Sequence, residues 1–224
     1  HPDSGKIRIL PESLINKIAA GEVVERPESI IKELVENSID AKSSKIEIII
    51  ERGGIDSIIV KDDGIGINKD EIELAFKRYT SSKISSIDDL DKIQTLGFRG
   101  EALSSIAAVS HVSISTSSDG IESFNTEFVD GEILKISSSA RERGTTIIIK
   151  KIFDSFPARK KFLKSPESEQ ISITKTMKQY FLSYPEISFK YSNSKKEIYN
   201  LSTRTLNFRI ADVFGGKYSN SLIE

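Results

Sequence analysis

Four short phrases in the chain carry residue types at spacings that could do chemistry. In residues 27–41, Glu33 and Asn37 recur four positions apart, with Asp40 beside them. At about 100° per residue, a helix places Glu33 and Asn37 one turn apart on the same side, opposite an Ile/Leu/Val stripe. A carboxylate there could activate a water, and a carboxamide could hold a hard cation such as Mg2+. A solvated polar face accounts for the same residues, and the helix alone does not decide. The second phrase, Asp62-Asp63-Gly64-Ile65-Gly66, directly follows an apolar strand. Glycines separated by one residue let backbone approach a ligand closely. A carboxylate at the strand end could accept a hydrogen bond from an exocyclic amine such as that of adenine. A polar turn is the plain alternative.

The third phrase, Leu96-Gly97-Phe98-Arg99-Gly100-Glu101-Ala102-Leu103, is a glycine-bracketed loop running into a helix. Free N–H groups and the positive end of the helix dipole would face a phosphate there, with Arg99 able to add a charge-assisted contact. An ordinary helix cap explains one of the glycines but not the whole phrase. The fourth, Arg143-Gly144-Thr145-Thr146, opens a strand and offers a hydroxyl to a water network, a weak signal alone because Thr is common in strands. No Gly-x-x-x-x-Gly-Lys-Ser/Thr phrase occurs, so a bound nucleotide would be held without a P-loop.

These phrases must be positioned by regular elements, and the periodicities supply them. Helical spacing runs through residues 10–21 and 27–41, with Pro27 suited to a first helical position. Strands are expected at 45–51 and 57–61 around the Gly53-Gly54 turn, and helices at 70–79 and 101–109. From His111 onward the texture is that of strands, at 111–116, 123–128, 133–137 and 145–152, with Asp130-Gly131 turning a hairpin. A helical segment at 168–182 precedes a last strand pair at 187–191 and 197–201. The simplest assembly is an α+β fold, a mixed and mostly antiparallel sheet with helices on one face. Residues 1–5 are expected to be a cloning remnant, 6–204 one nucleotide-binding domain, and 205–224 the start of a second subdomain.

Composition narrows the chemistry. A net charge of −1 means that any nucleic-acid contact must come from a local patch. The absence of cysteine excludes disulfides, thiolate metal sites and a cysteine nucleophile, and two histidines cannot make a histidine-rich metal site. The longest apolar runs are too short to span a bilayer, and the first residues do not have the pattern of a signal peptide. A cytoplasmic location is expected, or a nuclear one in a eukaryote. Between Arg141 and Lys164 there are eight basic and two acidic residues, an excess that could bind phosphate backbone without sequence preference. A solvated charged face would have the same composition.

A helical Glu/Asn pair, then Asp-x-Gly-x-Gly, then a glycine loop, then Gly-Thr is the order found in the ATP-binding superfamily of gyrase, the large heat-shock chaperone, histidine kinases and MutL (the GHKL or Bergerat fold). The wording resembles MutL-type DNA mismatch repair proteins in particular. Ile18-Ala19-Ala20-Gly21-Glu22-Val23-Val24-Glu25-Arg26-Pro27, Lys32-Glu33-Leu34-Val35-Glu36-Asn37-Ser38, Gly97-Phe98-Arg99-Gly100-Glu101-Ala102-Leu103 and Pro157-Ala158-Arg159-Lys160-Lys161-Phe162-Leu163 all match family phrases.

The resemblance implies an N-terminal ATP-binding domain with Mg2+-dependent, weak hydrolysis of ATP to ADP. It makes Glu33 the general base and Asn37 the Mg2+ ligand. It makes Asp62 the reader of the adenine amino group, with Thr145 assisting through water. Gly64 and Gly66 let the backbone pass the nucleotide. Ser82 and Lys83 match the lid phrase, and Gly97, Phe98, Arg99 and Gly100 the phosphate loop. Two departures stand out, Asp63 where the family usually has Asn and Ser81 where it usually has Thr. The first is expected to alter polar contacts near the pocket without abolishing binding. The resemblance further implies ATP-driven ordering of the lid and of residues 6–26, N-terminal homo- or heterodimerisation, and DNA and a MutS-type mismatch-recognition protein as partners. Two other functions fit less of the wording: the ATPase domain of another superfamily member, and an interaction module that uses nucleotide without turnover.

Overall fold

The computed structural model describes residues 24–68, 71–72, 102–129 and 131–215. In chain order the elements are α1 (Pro27–Asp40), β1 (Lys45–Glu51), a 3-10 turn (Arg52–Gly54), β2 (Ser57–Asp62), α2 (Ala102–Ala108), β3 (His111–Ser117), β4 (Ser123–Val129), β5 (Glu132–Ser139), β6 (Gly144–Lys150), α3 (Pro157–Lys160), α4 (Pro166–Ser183), β7 (Ser188–Asn193), β8 (Glu197–Leu201) and α5 (Leu206–Phe214). The eight strands form a single sheet in the order β5-β4-β3-β6-β2-β1-β7-β8. Its neighbours pair antiparallel except β1 with β7, which run parallel. This is the expected α+β arrangement.

Alternation with period two decides which face is covered. Ile46, Ile48 and Ile50, Ile58 and Val60, Val112 and Ile114, and Ile147 and Ile149 all join one buried cluster. Helices complete it from that side, through Ile30, Ile31, Leu34 and Val35 of α1, Ile106 and Ala107 of α2, and Ile173, Met177 and Phe181 of α4. Each fully buried side chain of this size contributes roughly 1.5–3 kcal/mol.

Element boundaries move where local backbone geometry overrides the apolar pattern. The strand expected at 145–152 starts at Gly144 and stops at Lys150. Lys151 and Phe153 then take left-handed φ of 54° and 60°, and the turn directs Ile152 and Phe153 into the core instead of along the sheet. The Phe153 N–H is received by the Val109 carbonyl at 2.9 Å. The helix expected at 168–182 begins two residues earlier, because Pro166 suits a first turn and the Ser165 hydroxyl caps the Ser168 N–H at 3.3 Å. The short α3 has no counterpart in the sequence reading. The helix expected at 10–21 lies outside the described residues, as does most of that expected at 70–79, of which Glu71 and Ile72 are helical.

At the end of the described chain, α5 is tied to the sheet by Arg209, whose side chain is completely buried. Its guanidinium donates to the carbonyls of Phe181, Pro185 and Ile187 at 3.0 Å and of Ser202 at 2.9 Å. Burial lowers its pKa, but a guanidinium remains charged throughout the physiological range. One cation thus closes the C-terminus of α4, the loop before β7 and the end of β8 together.

Candidate nucleotide site

Three neighbouring strands change from apolar to polar at the same level of the sheet. Along β2 the covered face reads Ile58, Val60, Asp62; along β6 it reads Ile149, Ile147, Thr145; along β3 it reads Val112, Ile114, Thr116. Register makes these endings coincide, since Asp62 pairs with Thr145 and Thr145 with Thr116. The stripe of α1 behaves alike, with Ile31 and Leu34 followed by the buried Ser38. A polar row therefore closes one end of the apolar core, with no change of fold needed to produce it.

Within that row the Asp62 carboxylate accepts from the Gly64 N–H at 2.9 Å through Oδ1 and from the Ser38 hydroxyl at 3.0 Å through Oδ2. Burial pushes its pKa above the ordinary carboxylate value. The bonds from Gly64, Ser38 and the Thr145 backbone, and the charge of Arg141, offset this only in part. The Thr116 hydroxyl accepts from the Ile67 N–H at 2.9 Å and lies 3.1 Å from the Thr145 hydroxyl. The Asp62 carboxylate can receive another donor: each of its oxygens has a further lone pair, and a donor would relieve the cost of burying the charge.

Asp63 has a different environment. Its Oδ1 accepts from the Ser44 and Lys45 N–H groups, each at 2.8 Å, and its Oδ2 from the Ser44 hydroxyl at 2.6 Å. Partial burial opposes ionisation, but the Ser44 hydroxyl and the two N–H groups outweigh it and hold the carboxyl below its usual range. Its charge thus closes the turn between α1 and β1.

The glycines of the row permit protein to pack on protein. A Cβ on Gly64 would lie 2.7 Å from the Ala41 carbonyl oxygen and from the Ser43 hydroxyl. Gly66, at φ 71°, would put one 2.1 Å from the Ser117 carbonyl oxygen, and Gly144, at φ 124°, one 2.1 Å from that of Asp62. Both combine a left-handed backbone with no room for a side chain. The loop after β2 is thereby pressed against the ends of β3 and β6.

Glu33, Asn37 and Asp40 are all half-buried on α1. Ser82, Lys83, Gly97, Phe98, Arg99 and Gly100 lie outside the described residues. Ser38, Thr116 and Arg141 join the site without having been singled out by sequence. For Thr116 the signal was present, a hydroxyl at the next period-two position after two buried aliphatics. Arg141 belongs by sequence to the basic run, yet its charge acts on Asp62 and its guanidinium donates to the Ser115 carbonyl. The run is divided by β6, which separates its ends by about 20 Å at about 3.3 Å per residue. Arg141 and Arg143 lie at the Asp62 end; Lys150, Lys151, Arg159, Lys160, Lys161 and Lys164 come at and after the opposite end.

This fold and polar row coincide with a known family. The model of the histidine kinase-, DNA gyrase B-, and HSP90-like ATPase family matches residues 24–156, more than half of the chain, and the chain belongs to that family. Within it, the chain falls with MutL-type mismatch repair proteins. It is 44% identical over 218 residues to DNA mismatch repair protein MutL of Fervidobacterium nodosum, covering 97% of this chain and 37% of the relative. To MutL of Caldanaerobacter subterraneus it is 48% identical over 221 residues, with the same coverage. The chain thus spans a little over a third of the length of these relatives. Among solved structures it is similar to the Aquifex aeolicus MutL ATPase domain complexed with ADP, with TM-score 0.70, 30% identity, and 86% of this chain and 70% of that one covered. It is also similar to the N-terminal domain of a DNA repair protein, with TM-score 0.76, 29% identity, and 90% and 60% covered. None of the described helices is long and apolar enough to cross a membrane.

Proposed function

We propose that the polar row around Asp62 is an adenine site, and that this chain binds ATP and ADP and hydrolyses ATP slowly as the N-terminal part of a mismatch repair protein. The observation that carries the reading is Asp62: a largely buried carboxylate with raised pKa, held by a hydroxyl and an N–H at the polar end of the core. The adenine amino group would donate to it. Thr145, coupled to Thr116, would hold a water on the same base. Gly64 and Gly66 keep the loop backbone low beside the ligand. Ser82 and Lys83 would form the lid, and Gly97, Phe98, Arg99 and Gly100 the phosphate loop.

Catalysis in this reading needs little from the protein beyond positioning and charge stabilisation. Glu33 orients the attacking water and takes its proton. Asn37 would offer a carboxamide oxygen to Mg2+, and the ion when bound would supply charge stabilisation at the phosphates. The donor fits that ion, since Asn37 is half-buried one turn from Glu33 and offers a hard carboxamide oxygen. Among the described residues no cluster of three or more acidic, histidine or cysteine side chains could hold a metal. Magnesium held through one side chain, phosphate oxygens and water requires no such cluster.

Residues 6–204 would form the nucleotide-binding domain. Residues 205–224 would open a second subdomain, its first helix docked through Arg209 with Leu206, Phe208 and Phe214 exposed for the remainder of that subdomain to cover. In the whole protein, ATP would order the lid and residues 6–26 and drive pairing of two N-terminal regions. DNA would bind the basic cluster beyond β6, and a MutS-type protein would act upstream. A cytoplasmic location fits relatives that repair bacterial DNA.

Calorimetric titration with Mg2+-ATP and Mg2+-ADP tests the assignment. Wild type and Glu33→Ala are expected to bind, with hydrolysis lost in Glu33→Ala, and Asp62→Asn is expected not to bind. Unchanged hydrolysis in Glu33→Ala would remove Glu33 from the mechanism, and unchanged binding in Asp62→Asn would remove the adenine site.

A further inference from the structure

At the end of the sheet remote from Asp62, the chain forms a turn whose two ends are both fixed. One end is Phe153, buried, with its N–H on the Val109 carbonyl. The other is Lys164, whose N–H donates at 2.9 Å to Glu169, a carboxylate with no exposed surface. The same Glu169 oxygen receives Arg26 at 3.2 Å, from the residue that precedes α1. Between the anchors, α3 continues as a tight backbone turn. Phe162 N–H donates to the Arg159 carbonyl at 2.9 Å, and Leu163 N–H to the Lys160 carbonyl at 3.3 Å.

On this fixed turn the Phe162 ring is 86% exposed. A mobile tail could expose a phenyl group at little cost to anything else. Here a buried carboxylate and a buried aromatic hold the backbone that presents it. The surroundings are basic. Lys160 is paired with Asp154 at 2.5 Å, whereas Lys151, Lys161 and Lys164 are exposed and have no ion pair among the described residues. A pre-fixed apolar ring among unpaired cations suits a ligand that offers a π-face and phosphates together. In a duplex the base faces are already stacked on one another. An unpaired base is accessible, and a turn that is already ordered loses little entropy on meeting it.

We propose that Phe162 is a stacking platform for an unpaired base of single-stranded DNA, with Lys161 and Lys164 taking the flanking phosphates. This rests on the reading of the basic cluster as a DNA contact and adds which form of DNA it selects. A protein partner accepting the same ring would use an apolar pocket and gain little from the free lysines.

The chain contains no tryptophan, so Phe162→Trp introduces a sole indole reporter. A short labelled single strand and the matching duplex are titrated into wild type, Phe162→Ala, Phe162→Trp and Lys161→Ala over a range of salt. Phe162→Ala is expected to weaken single-strand binding about tenfold, leaving duplex affinity and salt slope as in wild type. Phe162→Trp is expected to retain affinity, with its fluorescence quenched by single strand and not by duplex. Lys161→Ala is expected to reduce the salt slope by about one for both forms. Wild-type affinity in Phe162→Ala, equal losses for both forms, or an unquenched indole overturns stacking while leaving the DNA contact standing. Wild-type binding that is absent or insensitive to salt overturns both.

Discussion

The two ends of the central strands each withdraw a carboxylate from water, Glu169 completely and Asp62 in part, and the two are held differently. At one end Asp62 receives a hydroxyl and an N–H, with the Arg141 cation acting from a distance. At the other, Glu169 receives a guanidinium and a backbone N–H directly, and its second oxygen is enclosed by packing with no hydrogen-bond partner among the described residues. An acid paired directly to a cation has its charge compensated within the fold and serves as an anchor, even with one oxygen left over. An acid held only by neutral donors carries an unresolved electrostatic cost that a ligand can relieve. The partners, beyond the difference in exposure, set a structural carboxylate apart from the one proposed to bind a ligand.

The largest effect should come from the anchor. Glu169 is fully enclosed, but Arg26 keeps 29% of its side chain exposed, and water can solvate it once the pair is broken. Glu169→Ala, which removes two hydrogen bonds to a buried carboxylate, is therefore expected to cost about 2 kcal/mol in urea unfolding. A loss below about 1 kcal/mol would show that the pair does not fix the turn. At the binding end the order reverses. Asp62→Asn should abolish nucleotide binding yet hold or raise the thermal midpoint at neutral pH. The sign comes from the raised pKa: the folded state prefers the protonated acid, so ionisation costs stability as pH rises from the unfolded pKa through the folded one. Wild-type stability should therefore decline across that interval relative to Asp62→Asn, which pH-dependent melting would reveal. A parallel pair of pH profiles would place the cost elsewhere.

A smaller effect sharpens the contrast between adjacent residues. Asp63 has a lowered pKa, so its contribution is present above the unfolded pKa and is lost as pH falls through the folded one. Asp63→Ala should cost about 1 kcal/mol in stability at pH 7 and leave ATP affinity unchanged. A change in affinity would mean that this carboxylate also senses the pocket.

Much of this was legible because spacing within an element survives folding. The α1 stripe, the strand alternation and the Asp62 phrase were readable, since 100° and 180° periodicities are local properties. Ser38 and Arg141 were not, and Thr116 was readable only as the polar end of its own stripe, because their proximity to Asp62 depends on strand register and on how α1 crosses the sheet. The division of the basic run was hidden for the converse reason: residues close in sequence are separated by the length of β6. The left-handed Lys151 and Phe153 gave no warning either, as neither residue type favours that conformation and only the tertiary packing imposes it.

The coincidence of Asp62, Thr145 and Thr116 in one register row makes the proposed nucleotide pocket a checksum on strand alignment. A slip of one residue between β2 and β6 would turn every side chain of the moving strand to the other face. It would dismantle the row at the same moment as the isoleucine layer beneath it. Nucleotide would then stabilise only correctly aligned molecules, by mass action. A ligand added during refolding would act as a selector of register as well as a substrate.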